Sequence, residues 1–257
     1  MTKFMGLTSN LMSEKWRMMN WIIIVDLIFL VAVDVLRIFT GGWDGQIIPD
    51  YFFATFMVSM SFANFVGFIL LARKNERVYT SNNYRLLPVS ETKLYFSNLL
   101  TTFLGFMYLQ VLECVIGTIL YFISGQSDFN LAAGEVKGPV GTAVLVLLLM
   151  LLTMILIWMG ITSVHFLINW IGGFLPFARQ KFVNFILYIV VTVVGVMIFN
   201  YTSGNVFRVI YSGSQGITTL GQINNVIWLG IGIVVVWGVI FTALNIYLLK
   251  RWTETVR

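Results

Sequence analysis

Of the 257 residues in the chain, 58% are hydrophobic and only 11% charged, whereas a soluble domain carries roughly a quarter charged residues. That balance excludes an ordinary soluble domain and identifies an integral membrane protein. The net charge of +5 does not indicate nucleic acid, because the basic residues sort by loop, as a membrane topology requires.

Apolar runs near or above the ~18-residue length of a spanning helix occur at 21–39, 51–72, 95–124, 141–168, 182–200 and 226–249. Strands of a membrane barrel would alternate in segments of about ten residues. Val144 to Ile157, by contrast, is apolar on every side apart from Thr153. The reading is all-α: a polytopic membrane protein with six transmembrane helices.

Thirteen basic residues fall on one side of that layout: Lys3, Lys15, Arg17, Arg73, Lys74, Arg77, Arg85, Lys93, Arg179, Lys181, Lys250, Arg251 and Arg257. Lys137 and Arg208 lie in opposite loops, and Arg37 is at a helix end. By the positive-inside rule both termini and the 73–93 loop are cytoplasmic.

In chain order, residues 1–20 lack the apolar core of a signal peptide. Phe4, Leu7, Leu11 and Met18 recur near helical spacing, with Lys3, Ser13, Glu14 and Arg17 between them. This predicts an amphipathic segment at the interface, or else a frayed terminus.

The first span carries Asp26, Asp34 and Arg37, and a charge at mid-bilayer costs about 2.5–3.5 kcal/mol even on the lenient insertion scale. Asp34 and Arg37 are three apart and can pair. Asp26 either meets a hydrated cavity or a neighbouring helix, or reaches outward to the interface. The loop from Gly41 to Asp50 holds Asp44 and Asp50 and no basic residue, which suits the outer side.

In the second span Ser59, Ala63 and Gly67 repeat every four residues, a stripe where another helix can approach closely, and Asn64 lies beside it. The segment from Arg73 to Lys93 begins as a continuation of that helix. It then meets Ser81-Asn82-Asn83, residues that favour turns by bonding their own backbone, so a short cytoplasmic helix is expected to end there. Pro88 pushes Leu87 toward an extended conformation. Ser90 can cap a new helix with Glu91 in its first turn.

Glu76-Arg77, followed by Arg85-Leu86-Leu87-Pro88-Val89-Ser90 leading into the third span, resembles the first cytoplasmic loop of ABC-2 type exporter permeases. The resemblance implies an ABC-2 (type V exporter)-like fold: an N-terminal segment 1–20 similar to that family's elbow helix, and a transmembrane domain 21–257 with a coupling loop at 73–94. It implies that Lys74, Asn75, Glu76, Arg77, Val78, Tyr79, Leu87 and Pro88 couple the chain to a separate ABC ATPase subunit. In that arrangement ATP and Mg2+ bind to the ATPase, and the permease pairs with a second copy of itself or a homologous permease. The second and fifth spans would then lie near the dimer axis and transport path, so Ser59, Ala63, Asn64, Gly67, Gln110 and Glu113 are candidates for that path or for helix packing.

In the third span Gln110 and Glu113 share a face with Phe106 and Gly117. An acid inside a span is a functional candidate by default. The residue reads equally as a polar patch on a pathway, as a hydrogen bond to a neighbouring helix, or as a protonated carboxyl satisfied by Gln110 or Thr118. Cys114, the single cysteine, reads as a small packing residue.

The loop from Gly125 to Gly138 is a Gly-rich surface connection. His165, near the inner end of the fourth span, is the only histidine, and its GITSVHF context lacks a nucleophile elbow. It reads as packed or interfacial, and no catalytic or metal site is expected. Trp170, Pro176, Arg179 and Lys181 make a short second cytoplasmic loop. The fifth span is expected to end near Asn200. The apolar run Val206–Tyr211, between Gly204 and Gly213, is too short to cross and reads as an interfacial or re-entrant piece outside. In the sixth span Gly230, Gly232 and Gly238 are packing positions, and Lys250-Arg251-Trp252 is an interfacial anchor.

No G-x-x-x-x-G-K-[ST] loop occurs in the sequence, so the chain binds no nucleotide in the P-loop manner and no cofactor is expected on it. The leading expectation is an exporter permease in the plasma membrane, moving an amphipathic or hydrophobic substrate such as a peptide, a lipid-like molecule or a drug. The rivals are a non-transporting sensor or immunity subunit and a membrane-embedded enzyme. The enzyme would need polar groups at one depth, whereas Asp26, Glu113 and His165 are expected at different heights or faces.

Overall fold

A computed structural model describes residues 4–41, 49–81, 84, 89–123, 140–174, 181–211 and 220–251. Among these it is all-helical: α1 Phe4–Gly41, α2 Pro49–Thr80, α3 Glu91–Ile123, α4 Val140–Gly172, α5 Lys181–Tyr211 and α6 Leu220–Arg251. All six are long and apolar enough to cross a membrane, so the chain has the architecture of a multi-pass membrane protein.

Helix boundaries follow local chemistry. Pro49 opens α2 at the position where a missing amide is harmless. At 32 residues and about 1.5 Å per residue, α2 is about 48 Å long against a hydrocarbon core of ~30 Å. Its end therefore continues well past the apolar stretch. The helix stops at the expected place: Ser81 follows its last residue, and the Tyr84 amide donates to the Ser81 carbonyl at 3.3 Å, closing a turn. α3 starts as its cap residue dictates. The Lys93 amide donates to Ser90 Oγ at 3.4 Å, the Leu94 amide to the Ser90 carbonyl at 3.0 Å, and Glu91 occupies the first turn. At the other end of α4 the amide of Gly173 reaches the carbonyls of Asn169 and Trp170, both at 3.2 Å.

Three boundaries differ from expectation, all in the direction of longer helices. The N-terminal segment is not a separate elbow; α1 runs unbroken from Phe4 into the apolar stretch, because nothing between Met18 and Trp21 interrupts helical backbone. The run Val206–Tyr211 is not a separate piece but the last turns of α5. Gly204 costs about 1 kcal/mol in a helix yet does not stop one without a proline or a competing cap. Trp170 likewise belongs to α4 rather than to a loop.

By internal contacts the described chain divides into two units. The first contains α1, α2 as far as Val78, and α3 from Phe96. Its buried stripes repeat every three to four residues: Leu7, Leu11, Lys15 and Met19 on α1; Phe56, Ser59, Ala63, Leu71, Asn75 and Val78 on α2; Asn98, Thr102, Phe106, Leu109 and Glu113 on α3. Gly67 continues the α2 stripe, and a Cβ added there would stand 2.9 Å from Leu109 Cδ2 and 3.9 Å from Met19 Sδ. The small residue is what lets these helices meet.

The second unit contains residues 79–95 and α4, α5 and α6. α4 packs along α6 and over a shorter stretch against α5. A Cβ at Gly230 would lie 3.7 Å from Leu149, and one at Gly238 4.0 Å from Met159 Sδ, so both are contact points; Gly232 has nothing within 4 Å and is not the packing position expected.

Candidate functional site

Several polar side chains of the first unit lie on its buried stripes. Lys15 has no exposed surface. Its Nζ donates to the Asn98 carbonyl at 2.8 Å, Asn98 Oδ1 at 2.7 Å, Thr101 Oγ1 at 2.9 Å and Thr102 Oγ1 at 2.6 Å. Asn98 Nδ2 donates to the Asn75 carbonyl at 2.9 Å, and the Thr102 hydroxyl lies 3.1 Å from Asn75 Oδ1. Four neutral acceptors thus surround three ammonium protons, and α1, α2 and α3 are tied at one level. The Cβ atom that Gly105 lacks would touch Leu71 and Lys15 Cβ, both at 3.5 Å, which places an apolar floor directly beneath.

A second polar layer lies farther along. Asp26 is eleven residues after Lys15 and Asn64 eleven before Asn75, a displacement of about 16 Å on both helices, so the layers stay in register. Here Ser59 donates to Asp26 Oδ1. Gln110 Nε2 donates to Asn64 Oδ1, and Asn64 Nδ2 donates to Glu113 Oε2 at 2.7 Å. The donors run in one direction and end on a carboxyl. Glu113 is 2% exposed, and its Oε1 receives no hydrogen bond. Asp26 therefore bonds a neighbouring helix.

Beside this layer α2 and α3 form a half-open groove-like cavity of about 380 Å³, lined by Phe53, Phe56, Met57, Met60, Glu113, Cys114, Gly117, Thr118 and Phe122. Its walls are almost wholly apolar. The residues singled out from the second and third spans thus separate by role. Ala63 and Gly67 are packing positions, Ser59 holds Asp26, Asn64 and Gln110 hold Glu113, and Glu113 lines this cavity. Farther along α1, Asp34 is buried and neither of its carboxyl oxygens takes part in a hydrogen bond.

The segment carrying the expected coupling residues is sorted by the helix. Arg73 and Arg77 are exposed, and Lys74 and Glu76 half-buried. Lys74 Nζ meets Glu14 Oε2 at 2.5 Å. Asn75 and Val78 are buried in the first unit, and Asn75 is committed to the Lys15 cage. Tyr79 has no exposed surface in the second unit. It stacks on Tyr95 at 6.0 Å between centroids, meets Phe166 edge-on at 5.3 Å, and places its hydroxyl 3.4 Å from the Tyr95 carbonyl. As arranged, Asn75, Val78 and Tyr79 are internal anchors rather than surface for a partner. Leu87 and Pro88 lie outside the described residues.

In the second unit Asn245 is the polar node. It is fully buried, accepts from Ser163 Oγ at 2.8 Å, and donates to Tyr95 Oη at 3.1 Å and the Met159 carbonyl at 3.0 Å. His165 Nδ1 lies 2.8 Å from Tyr188 Oη, a packed histidine linking α4 to α5. Among the described residues no three of His, Cys, Asp and Glu converge as metal ligands.

Counting Lys15 only as one of the basic residues of the cytoplasmic side missed the cage. Its signal was the four-residue stripe Leu7-Leu11-Lys15-Met19, matched by Asn98, Thr101 and Thr102 at the start of α3. Comparison of the chain with protein-family models, with curated proteins and with solved structures finds no match.

Proposed function

We propose that the chain is the membrane permease subunit of an ATP-driven exporter of the ABC-2 type, working as a dimer with separate ATPase subunits in the plasma membrane, both termini cytoplasmic. The observation that carries this reading is the end of α2. The helix outruns the membrane core, exposes Arg73 and Arg77, and stops at Ser81, immediately before the Leu-Leu-Pro-Val-Ser corner that resembles the coupling loop of that family. Arg is a favoured anchor at interfaces.

In this mechanism closure of the ATPase pair around ATP and Mg2+ presses on the Lys74–Thr80 end of α2. The load passes along a helix held to α1 by the Lys74–Glu14 ion pair and to α3 through Asn75. The two cross-helix polar layers make the first unit respond as one piece, because breaking a buried hydrogen bond leaves a polar group without its partner. ATP hydrolysis belongs to the partner chain.

The test is Glu76→Ala combined with Arg77→Ala, with an ATPase subunit co-expressed. Substrate-stimulated ATPase activity should fall while expression of the membrane chain is retained. Unchanged ATPase activity and transport would refute the coupling role.

A further inference from the structure

The cavity between α2 and α3 contains one feature that packing does not explain. Glu113 is 2% exposed and lines the cavity, one of its oxygens accepts from Asn64, and the other has no donor. We infer that this cavity binds a hydrophobic ammonium, an amine carried on an aryl or alkyl body, with its N–H directed at Glu113 Oε1. The inference deepens the permease reading, on which its transport meaning rests, by assigning a cargo chemistry to the polar layer.

Each wall selects for that chemistry. Phe53, Phe56 and Phe122, with Met57 and Met60, suit an apolar body, and aromatic faces also attract a cation. The volume of about 380 Å³ falls in the range of small-molecule sites. An anion is disfavoured, because the titratable group that lines the cavity is itself a carboxyl. A bare metal ion needs several oxygen ligands, and one carboxyl among phenyl rings does not supply them. A lipid tail fits the walls and leaves Oε1 as it was. An ammonium supplies the missing donor with a charge-assisted hydrogen bond, stronger than one between neutral groups.

Cys114 is exposed, lines the cavity and is the single cysteine of the chain, so alkylation there reports occupancy without any engineered label. The full chain is placed in phosphatidylcholine nanodiscs without an ATPase, and its reaction with N-ethylmaleimide is timed at neutral pH. The two probes are 4-phenylbutylamine and its neutral counterpart 4-phenylbutanol. The amine is expected to slow alkylation several-fold where the alcohol at equal concentration does not. Glu113→Gln keeps an oxygen for Asn64 but cannot ionise, and should raise the amine concentration for half-protection by about tenfold, as loss of a charge-assisted bond implies.

Equal protection by amine and alcohol would show a groove for an apolar tail and overturn the inference. So would absence of protection by either, or an amine effect unchanged in Glu113→Gln. If that variant does not fold, the amine-to-alcohol comparison on the unaltered chain decides alone. Because no ATPase is present, failure here leaves the coupling test standing, and failure of the coupling test leaves this binding intact.

Discussion

Lys15 Nζ lies 2.6 Å from Thr102 Oγ1, and the side chain that reaches it is wholly enclosed. A buried amine is tolerable only where its hydrogen-bonding groups are satisfied, and here one α3 turn supplies every acceptor. Lys15→Met keeps much of the volume but leaves Asn98 Oδ1 without its donor, while the two threonine hydroxyls keep the carbonyls they donate to. We expect it to destabilise the chain by about 2 kcal/mol and Thr102→Val by about 1 kcal/mol, since each unsatisfied buried group costs roughly 1–3 kcal/mol. Thermal unfolding in detergent should show the double variant losing less than the sum of the two. Strict additivity would mean the contact is not formed.

At Gly67 a methyl group has no free space. A Cβ there would come within 2.9 Å of Leu109 Cδ2, and Leu109 is itself fully buried. Gly67→Leu should cost about 1–3 kcal/mol through overpacking, whereas Gly195→Ala, with nothing within 4 Å, should be neutral or slightly stabilising. The pair is compared by melting temperature; equal effects would contradict the close approach of α2 to α1 and α3.

Asn245 holds three partners from inside the second unit. Asn245→Leu should lower stability by about 2 kcal/mol by leaving Ser163 and Tyr95 short of partners. Asn224→Leu breaks a bond to Thr142 that is only part-buried, and should cost about half as much. Retained stability in Asn245→Leu would remove the node.

Tyr79 distinguishes an internal anchor from a docking surface. Tyr79→Phe keeps both ring contacts and loses only a long 3.4 Å hydrogen bond, so it should melt within about 1 kcal/mol of the parent. Tyr79→Ala empties a buried site and should cost about 3–5 kcal/mol. Wild-type stability in Tyr79→Ala, with lost ATPase association, would instead place the ring at a partner.

The Lys74–Glu14 pair is short at 2.5 Å, but its side chains keep 28% and 46% exposure. Glu14→Gln should therefore change stability by less than about 1 kcal/mol, less still at high salt. A larger, salt-independent loss would mean the pair is effectively dry.

Membrane residence, six helices and most of their boundaries were legible in the sequence, because lipid leaves backbone polar groups only one way to be satisfied within a segment. The cap at Ser90 and the turn at Ser81 were equally local. So was the prospect that Gln110 and Glu113 share a face, since helical spacing alone decides it.

Partners across helices were not legible. The sequence by itself leaves Asp26 between two neighbourhoods and counts Lys15 only among the basic residues of one side, since composition records that a residue is charged, not which stripe it occupies. Only tertiary packing decides that α1, α2 and α3 bring Lys15 to Asn98 and Asn64 to Glu113. The physical reason is that register between helices is set by where small residues such as Gly67 let side chains interlock, and that depends on three separated segments at once.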